Sequence, residues 1–208
     1  MIEKTTSILE KYLPKQAAPI IAQWIYQAPC MFKISKNRLS KFGDYRSPFG
    51  RKGHRISINH NLNPYAFLVT TVHEFAHLKT WNEYKSRVKP HGKEWKKNFK
   101  LLMEPFFNGE ILPPDVRAAV TTYLGNPAAS SCGDLTLFRT LQRYDQPRAG
   151  FVRVEELPPG AAFVLPNGRI FRKGEKMRTR FRCTEIHTGK VYLFSPVAEV
   201  KRDVIEHH

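Results

Sequence analysis

The fold is decided by a run that reads Val72-His73-Glu74-Phe75-Ala76-His77-Leu78. On a helix, His73 and His77 are four residues apart and lie on one face, where two imidazoles can bind a single metal ion, while Glu74 projects beside them. A zinc ion bound there would acidify a water molecule and polarise a carbonyl group, and the glutamate would transfer the proton. The pattern therefore indicates the metal-binding helix of a metalloprotease.

A third metal ligand is required, because a catalytic zinc ion takes three protein ligands and leaves one position for water. His91 is the candidate. It lies further along the sequence from His77 than the third histidine of enzymes with the compact motif H-E-x-x-H-x-x-G-x-x-H, so that class of enzyme is excluded. A glutamate that follows is the alternative, and Glu94 or Glu104 could provide it. His54 and His60 precede the helix and are weaker candidates.

The metal-binding helix has a recognisable start and a surface suited to burial. Asn63 followed by Pro64 is typical of an N-cap and the first helical position. An inert pair of surface histidines would not account for a glutamate between them on a strongly apolar helix. The apolar residues around the motif predict packing against a core and are Phe67, Leu68, Phe75, Ala76 and Leu78.

Two blocks of the sequence resemble a known family. They read His73-Glu74-Phe75-Ala76-His77 and Arg87-Val88-Lys89-Pro90-His91-Gly92-Lys93-Glu94-Trp95-Lys96. Together they are similar to the SprT-like (Spartan-related) zinc metalloprotease family, in which the third zinc histidine lies in an H-G-x-x-W context. The resemblance covers roughly residues 1–105.

The resemblance implies a function and a set of site residues. It implies a zincin-type fold with one catalytic zinc ion, held by His73, His77 and His91, and Glu74 as the catalytic acid and base. It also implies cleavage of proteins that are bound or crosslinked to DNA, and hence a role in DNA repair. On this basis His91 is preferred to the glutamates as third ligand.

The cysteines depart from one feature of the prokaryotic relatives, which often carry a zinc ribbon with C-x-x-C pairs after the protease part. Cys30, Cys132 and Cys183 are isolated and odd in number, so they cannot form a Cys₄ site within one chain. We therefore expect no second, structural zinc ion. Unpaired cysteines also agree with a reducing compartment.

The composition points to a nucleic-acid partner and away from a membrane. The 208 residues carry a net charge of +16, and Lys and Arg release counterions when they neutralise phosphates. The expected partners are DNA, single-stranded or damaged, and proteins bound to it. No apolar run approaches a membrane span of about 20 residues, and no signal-peptide pattern is present. A cytoplasmic, nucleoid-associated location is expected.

The predicted fold class is α+β, with a zincin-type domain of helices and a small sheet followed by a small β-rich module. Four segments are predicted: a SprT-like metalloprotease domain over 1–110, a helical or loop connection over 111–150, a basic β module over 151–205 and a possible tag remnant at 206–208. In the first of these, short strands are expected at Phe32–Ser35 and His54–Asn59.

Three basic groups are the candidate DNA contacts, since phosphates are bound mainly by Lys and Arg. The first is a glycine-containing loop, the second is the outer face of the helix after His91, and the third is one face of a predicted strand over 179–183. Their residues are Arg51, Lys52 and Arg55, then Lys93, Lys96 and Lys97, then Arg178, Arg180 and Arg182.

Two other functional classes remain open. The chain could be a DNA-binding or regulatory protein that keeps the zincin fold without significant proteolysis. It could also hydrolyse small peptides without a nucleic-acid role, in which case its activity would be insensitive to salt and DNA. The two readings make different demands on the basic residues, which the first requires and the second does not.

Overall fold

The computed structural model describes most of the chain, as two compact units that divide between Asp145 and Gln146. None of the helices described in it is long and apolar enough to cross a membrane. Cys132 and the possible tag remnant at 206–208 lie outside the described residues. The described residues are 1–36, 38, 41–107, 110–127 and 134–202.

The first unit combines helices with a small sheet. Its helices are α1 (Ile2–Leu9), α2 (Ala18–Gln27), α3 (Pro64–Tyr84), α4 (Lys93–Met103), α5 (Pro114–Gly125) and α6 (Leu135–Gln142). Its strands are β1 (Cys30–Ser35), β2 (Gly43–Arg46) and β3 (His54–Asn59). The two strands expected from the sequence are thereby confirmed, and β2 is an additional strand.

The small sheet has the order β1-β3-β2, with β1 parallel and β2 antiparallel to β3. Side chains alternate along a strand, so Ile56 and Ile58 of β3 enter the core and are at most 1% exposed. The strand β2 lies at the edge of the sheet and contacts α3. The sheet therefore presents a short edge strand to the helix that carries His73 and His77.

Helix α3 is the central element of the first unit. The side chain of Asn63 accepts hydrogen bonds from the backbone N–H of Tyr65 (3.1 Å) and Ala66 (3.0 Å), and Pro64 begins the helix. This confirms the predicted start, since Asn satisfies N–H groups that have no partner inside the helix. Every residue from Ala66 to Ala76 is buried, so the motif lies in the protein interior.

Helices α5 and α6 belong to the first unit rather than to a connection. Val116, Val120 and Tyr123 form a stripe along α5 and are at most 2% exposed, and Leu137 of α6 joins the same core. Burying one such side chain stabilises the fold by about 1.5–3 kcal/mol. The segment predicted as a connection over 111–150 therefore contributes to the first core up to the unit boundary.

The second unit is a six-stranded antiparallel sheet with the order β4-β9-β5-β6-β7-β8. Strands β5 to β8 follow one another as a meander, and β9 returns to lie between β4 and β5. The strands are β4 (Phe151–Arg153), β5 (Ala162–Val164), β6 (Ile170–Lys176), β7 (Phe181–Glu185), β8 (Val191–Phe194) and β9 (Glu199–Arg202). The predicted α+β class is confirmed.

The second unit has its own hydrophobic core. Phe163, Phe171 and Cys183 are fully buried, and the rings of Phe163 and Phe171 stack at 5.7 Å. The turn between β5 and β6 contains Gly168 with φ +82°, a backbone conformation that glycine adopts without a steric penalty. The unit is thus held by packing of its sheet's inner face.

Candidate metal centre

Three histidines converge at the middle of the first unit. The Nε2 atoms of His73 and His77 are 3.2 Å apart, and those of His73 and His91 are also 3.2 Å apart. One ligand atom from each residue lies within 4.8 Å of the other two. Over the described residues this is the group able to hold a metal ion, and it includes neither Glu94 nor Glu104.

The three nitrogens fit a zinc ion. Two nitrogens bound tetrahedrally at about 2.0–2.1 Å from one zinc ion lie about 3.3 Å apart, close to the observed separations. Burial and the neighbouring histidines lower the pKa of His73 to about 2 and that of His77 to about 3, and burial lowers the pKa of His91. The imidazoles are therefore neutral at neutral pH, as metal ligands must be.

The third histidine reaches the other two from a strained backbone. His91 has φ +58°, in the left-handed region that residues other than glycine seldom adopt. The turn is closed by a hydrogen bond from the Gly92 N–H to the Lys89 carbonyl oxygen (2.9 Å). Strain of this kind costs about 1–3 kcal/mol and is found mainly at functional sites. At this position it directs the ring toward His73.

The ring of Trp95 contacts the rings of all three histidines. It is fully buried on α4, and its ring centroid lies 4.7 Å from those of His73 and His91 and 5.3 Å from that of His77. Trp95 in turn stacks on Phe99 at 5.0 Å. The rigid aromatic pair fixes where the imidazoles can lie.

Glu74 lies beside the histidines with its carboxylate buried. The residue is 6% exposed, and the backbone N–H of Tyr45 donates a hydrogen bond to its carboxylate. Burial, together with the nearby Asp44 carboxylate, raises the pKa of Glu74 to about 8. A carboxyl group with a pKa near neutral can both accept and release a proton, which is what acid and base catalysis requires.

The carboxylate of Glu74 fits only because residue 43 of β2 has no side chain. A Cβ atom on Gly43 would overlap Glu74 Oε1 and lie 2.7 Å from Thr70 Cγ2 and 2.9 Å from Glu74 Cγ. Thr70 and Glu74 are one turn apart on the same face of α3, so the strand backbone lies directly against that face. The close approach of β2 thus holds the carboxylate in place.

The sequence profile of the SprT-like family matches residues 15–118, which is half of the chain. The chain belongs to the SprT-like family. The matched residues contain all three histidines, Glu74 and Trp95. The resemblance inferred from the motifs is therefore confirmed.

A relative of this SprT-like chain is Protein SprT from Vibrio parahaemolyticus, which is 38% identical over 85 residues. That alignment covers 40% of this chain and 48% of the Vibrio protein. The chain thus spans about half the length of the curated relative that it matches. No solved structure matches the chain.

Two residues that lie against the candidate site, Gly43 and Tyr45, were not predicted from the sequence. Both lie on β2, which is four residues long and contains a glycine and an aspartate, residues that are depleted in strands. Their two-residue spacing places them on the same face of the strand, but a pattern of two residues carries little signal. Only the structure shows that this face contacts α3.

The first two groups of candidate DNA contacts lie on separate elements of the first unit. Arg51 and Lys52 are exposed in the turn between β2 and β3, and Arg55 is half-buried on β3. Lys93 and Lys97 are exposed on α4. On the same helix, the Nζ atom of Lys96 donates a hydrogen bond to Asn126 Oδ1 (2.6 Å).

The predicted row of three arginines on one strand face is wrong. Arg178 and Arg180 lie in the bend between β6 and β7, and Arg182 alone lies on β7. The strand begins at Phe181, because the backbone N–H of Met177 bonds to the Arg180 carbonyl oxygen (2.8 Å) and closes the connection before it. All three arginines are exposed, so they remain available to a polyanion.

Proposed function

We propose that this SprT-like chain is a zinc-dependent endopeptidase that cleaves proteins bound or crosslinked to DNA. The observation that carries the proposal is the convergence of His73, His77 and His91 beside the buried side chain of Glu74. Neutral imidazoles next to an acid–base group form a hydrolytic centre when zinc is bound. A surface or structural metal site would not require the carboxylate.

In this mechanism the residues of the chain position the zinc ion and move one proton. His73, His77 and His91 would hold the ion, which as a Lewis acid polarises the peptide carbonyl and acidifies water. Glu74 accepts the proton from the attacking water at its carboxylate and then donates it to the leaving amine nitrogen. The Tyr45 N–H keeps the carboxylate aimed at the site through both transfers.

The proposed DNA association rests on charge. The chain carries a net charge of +16, and exposed Arg51, Lys52, Lys93 and Lys97 lie on the unit that holds the histidines. Cations on this unit would bring a DNA-bound substrate to the protease by counterion release. We propose single-stranded or damaged DNA as the partner and a cytoplasmic, nucleoid-associated location.

The test uses the purified chain, a DNA-bound protein substrate and three variants. His91→Ala should lose about one zinc ion per chain, whereas His60→Ala, which removes an exposed histidine outside the cluster, should keep it. Glu74→Gln should keep zinc and lose cleavage, because the amide cannot accept the proton.

Cleavage by the wild type should be stimulated by single-stranded DNA and should fall as salt rises. Unchanged cleavage by Glu74→Gln would contradict the mechanism. Zinc binding by the wild type without cleavage of any DNA-bound protein would favour a DNA-binding protein that lacks proteolysis.

A further inference from the structure

The edge strand β2 turns one face toward the metal-binding helix. Gly43 lies against Thr70 and Glu74, and Tyr45, two residues later, lies against His77. Residues two apart share a face of a strand, so a single short element contacts both the acid–base residue and a metal ligand.

The ring of Tyr45 lies beside the ring of His77 and nearly parallel to it. The two rings have centroids 5.9 Å apart and planes inclined by 8°. The ring centroid of Trp95 also lies 5.3 Å from that of His77. Offset stacking at this distance restricts rotation of the imidazole about its last side-chain bond.

The hydroxyl group of Tyr45 is itself anchored. It hydrogen-bonds to Nδ1 of His54 at 2.8 Å, and His54, which is 8% exposed, hydrogen-bonds to the side chain of Asn82 on α3. The hydroxyl group of Tyr45 is therefore tied to β3, while its ring lies beside that of His77 on α3. Displacing the hydroxyl group would break a half-buried hydrogen bond, which contributes about 0.5–1.5 kcal/mol.

We propose that Tyr45 is the positioning residue that couples the acid–base residue to the metal ligands. Its backbone N–H orients the Glu74 carboxylate, and its side chain, braced by His54, orients the imidazole of His77. The inference rests on the proposed function, because it assumes that the three histidines bind zinc. Residues outside the ligand set that orient a ligand commonly change metal affinity or activity by about 10–100-fold when removed.

The alternative is that Tyr45 is only a packing residue. A packing residue lowers the stability of the metal-free protein when it is shortened, and leaves the affinity for zinc unchanged. A positioning residue changes the affinity for zinc itself, beyond any loss of stability. Tyr12 provides a matched control, because it is also half-buried and stacks on a ring of α3, that of Phe67, at 5.5 Å.

The experiment measures zinc affinity by competition with a chelating dye, and urea unfolding of the metal-free protein, for the wild type, Tyr45→Leu, Tyr45→Phe and Tyr12→Leu. Tyr45→Leu should bind zinc about 10–100-fold more weakly than the wild type. Tyr45→Phe keeps the ring and loses its anchor, so its affinity should fall between the two. Tyr12→Leu should lose stability and keep the wild-type affinity.

A zinc affinity of Tyr45→Leu equal to that of the wild type and Tyr12→Leu would overturn the inference. Should Tyr45→Leu not fold, His54→Ala removes the same anchor without altering β2. His54→Ala should weaken zinc binding as much as Tyr45→Phe does. The double variant Tyr45→Phe/His54→Ala should bind zinc no more weakly than either single variant. Independent, additive losses would overturn the bracing of Tyr45 by His54, and a wild type that binds no zinc would overturn the proposed function as well.

Discussion

Replacing Gly43 with alanine should misplace the Glu74 carboxylate while all three metal ligands remain in the chain. The added Cβ would overlap Glu74 Oε1 and lie 2.7 Å from Thr70 Cγ2, whereas ordinary van der Waals contact begins at 3.4 Å. Because a strand backbone and the helix face meet there, either Glu74 must change rotamer or β2 must move away from α3. Both responses displace the carboxylate.

The magnitude follows from the size of the overlap. Thr70 Cγ2 alone would have to retreat by about 0.7 Å, and a misplacement of about 1 Å at a catalytic group can lower the rate about 100-fold. Overpacking of this kind also destabilises a protein by about 1–3 kcal/mol. The expected outcome for Gly43→Ala, measured at a zinc concentration that saturates the site, is a roughly 100-fold loss in kcat.

The assay compares cleavage rates and zinc content of Gly43→Ala and Gly53→Ala. Gly53 lies in the same hairpin, and a Cβ there would meet only the Pro29 carbonyl oxygen, at 3.8 Å, which is an ordinary contact. Gly53→Ala should therefore cleave at the wild-type rate. Wild-type turnover by Gly43→Ala would refute the reasoning, because it would mean that the position of the carboxylate does not limit the reaction.

Three further outcomes are expected. Phe99→Ala, which empties a fully buried site under Trp95, should cost about 3–5 kcal/mol in urea unfolding, and a loss below about 1 kcal/mol would contradict the packing. Reversing the charges of Arg178 and Arg180 should weaken DNA binding and flatten its salt dependence, and an unaltered slope would reject that contact. Because Arg169 holds the pKa of Glu185 near 2, below its unfolded value of about 4.3, the second unit should lose stability as pH falls from about 5 to 2. Circular dichroism should show that Arg169→Gln lacks this pH dependence, and an unchanged acid transition would exclude the pair as its source.

The metal-binding helix and its cap were predictable because their signals are local. Asn63-Pro64 fixes where α3 begins, and the four-residue spacing of His73 and His77 fixes their common face. His91 could not be assigned as the third metal ligand from spacing alone, because Glu94 and Glu104 remained possible ligands. Only the family resemblance favoured the histidine. Its left-handed backbone, which brings the ring to the cluster, is invisible in the sequence.

The support of the site could not be predicted because it depends on contacts distant in sequence. Gly43 is 31 residues from the glutamate whose carboxylate it accommodates, and nothing near it marks a strand. The predicted row of arginines in the second unit was wrong for a related reason. The alternation of Arg178, Arg180 and Arg182 is typical of a strand. A backbone hydrogen bond between Met177 and Arg180 instead closes a bend before β7 begins, and this bend contains Arg178 and Arg180.

The position of the third histidine has a thermodynamic consequence for the apoprotein. His77 is the second of the two histidines on α3. His91 follows it after 13 intervening residues, just before α4. A zinc ion shared by them would close that segment into a ring in the folded state, and its binding energy would stabilise the folded state over the unfolded one, which has no preformed site. Chelation would then open the ring and release the strained turn at His91, so stripping the metal should loosen the junction of α3 and α4 as well as stop the chemistry.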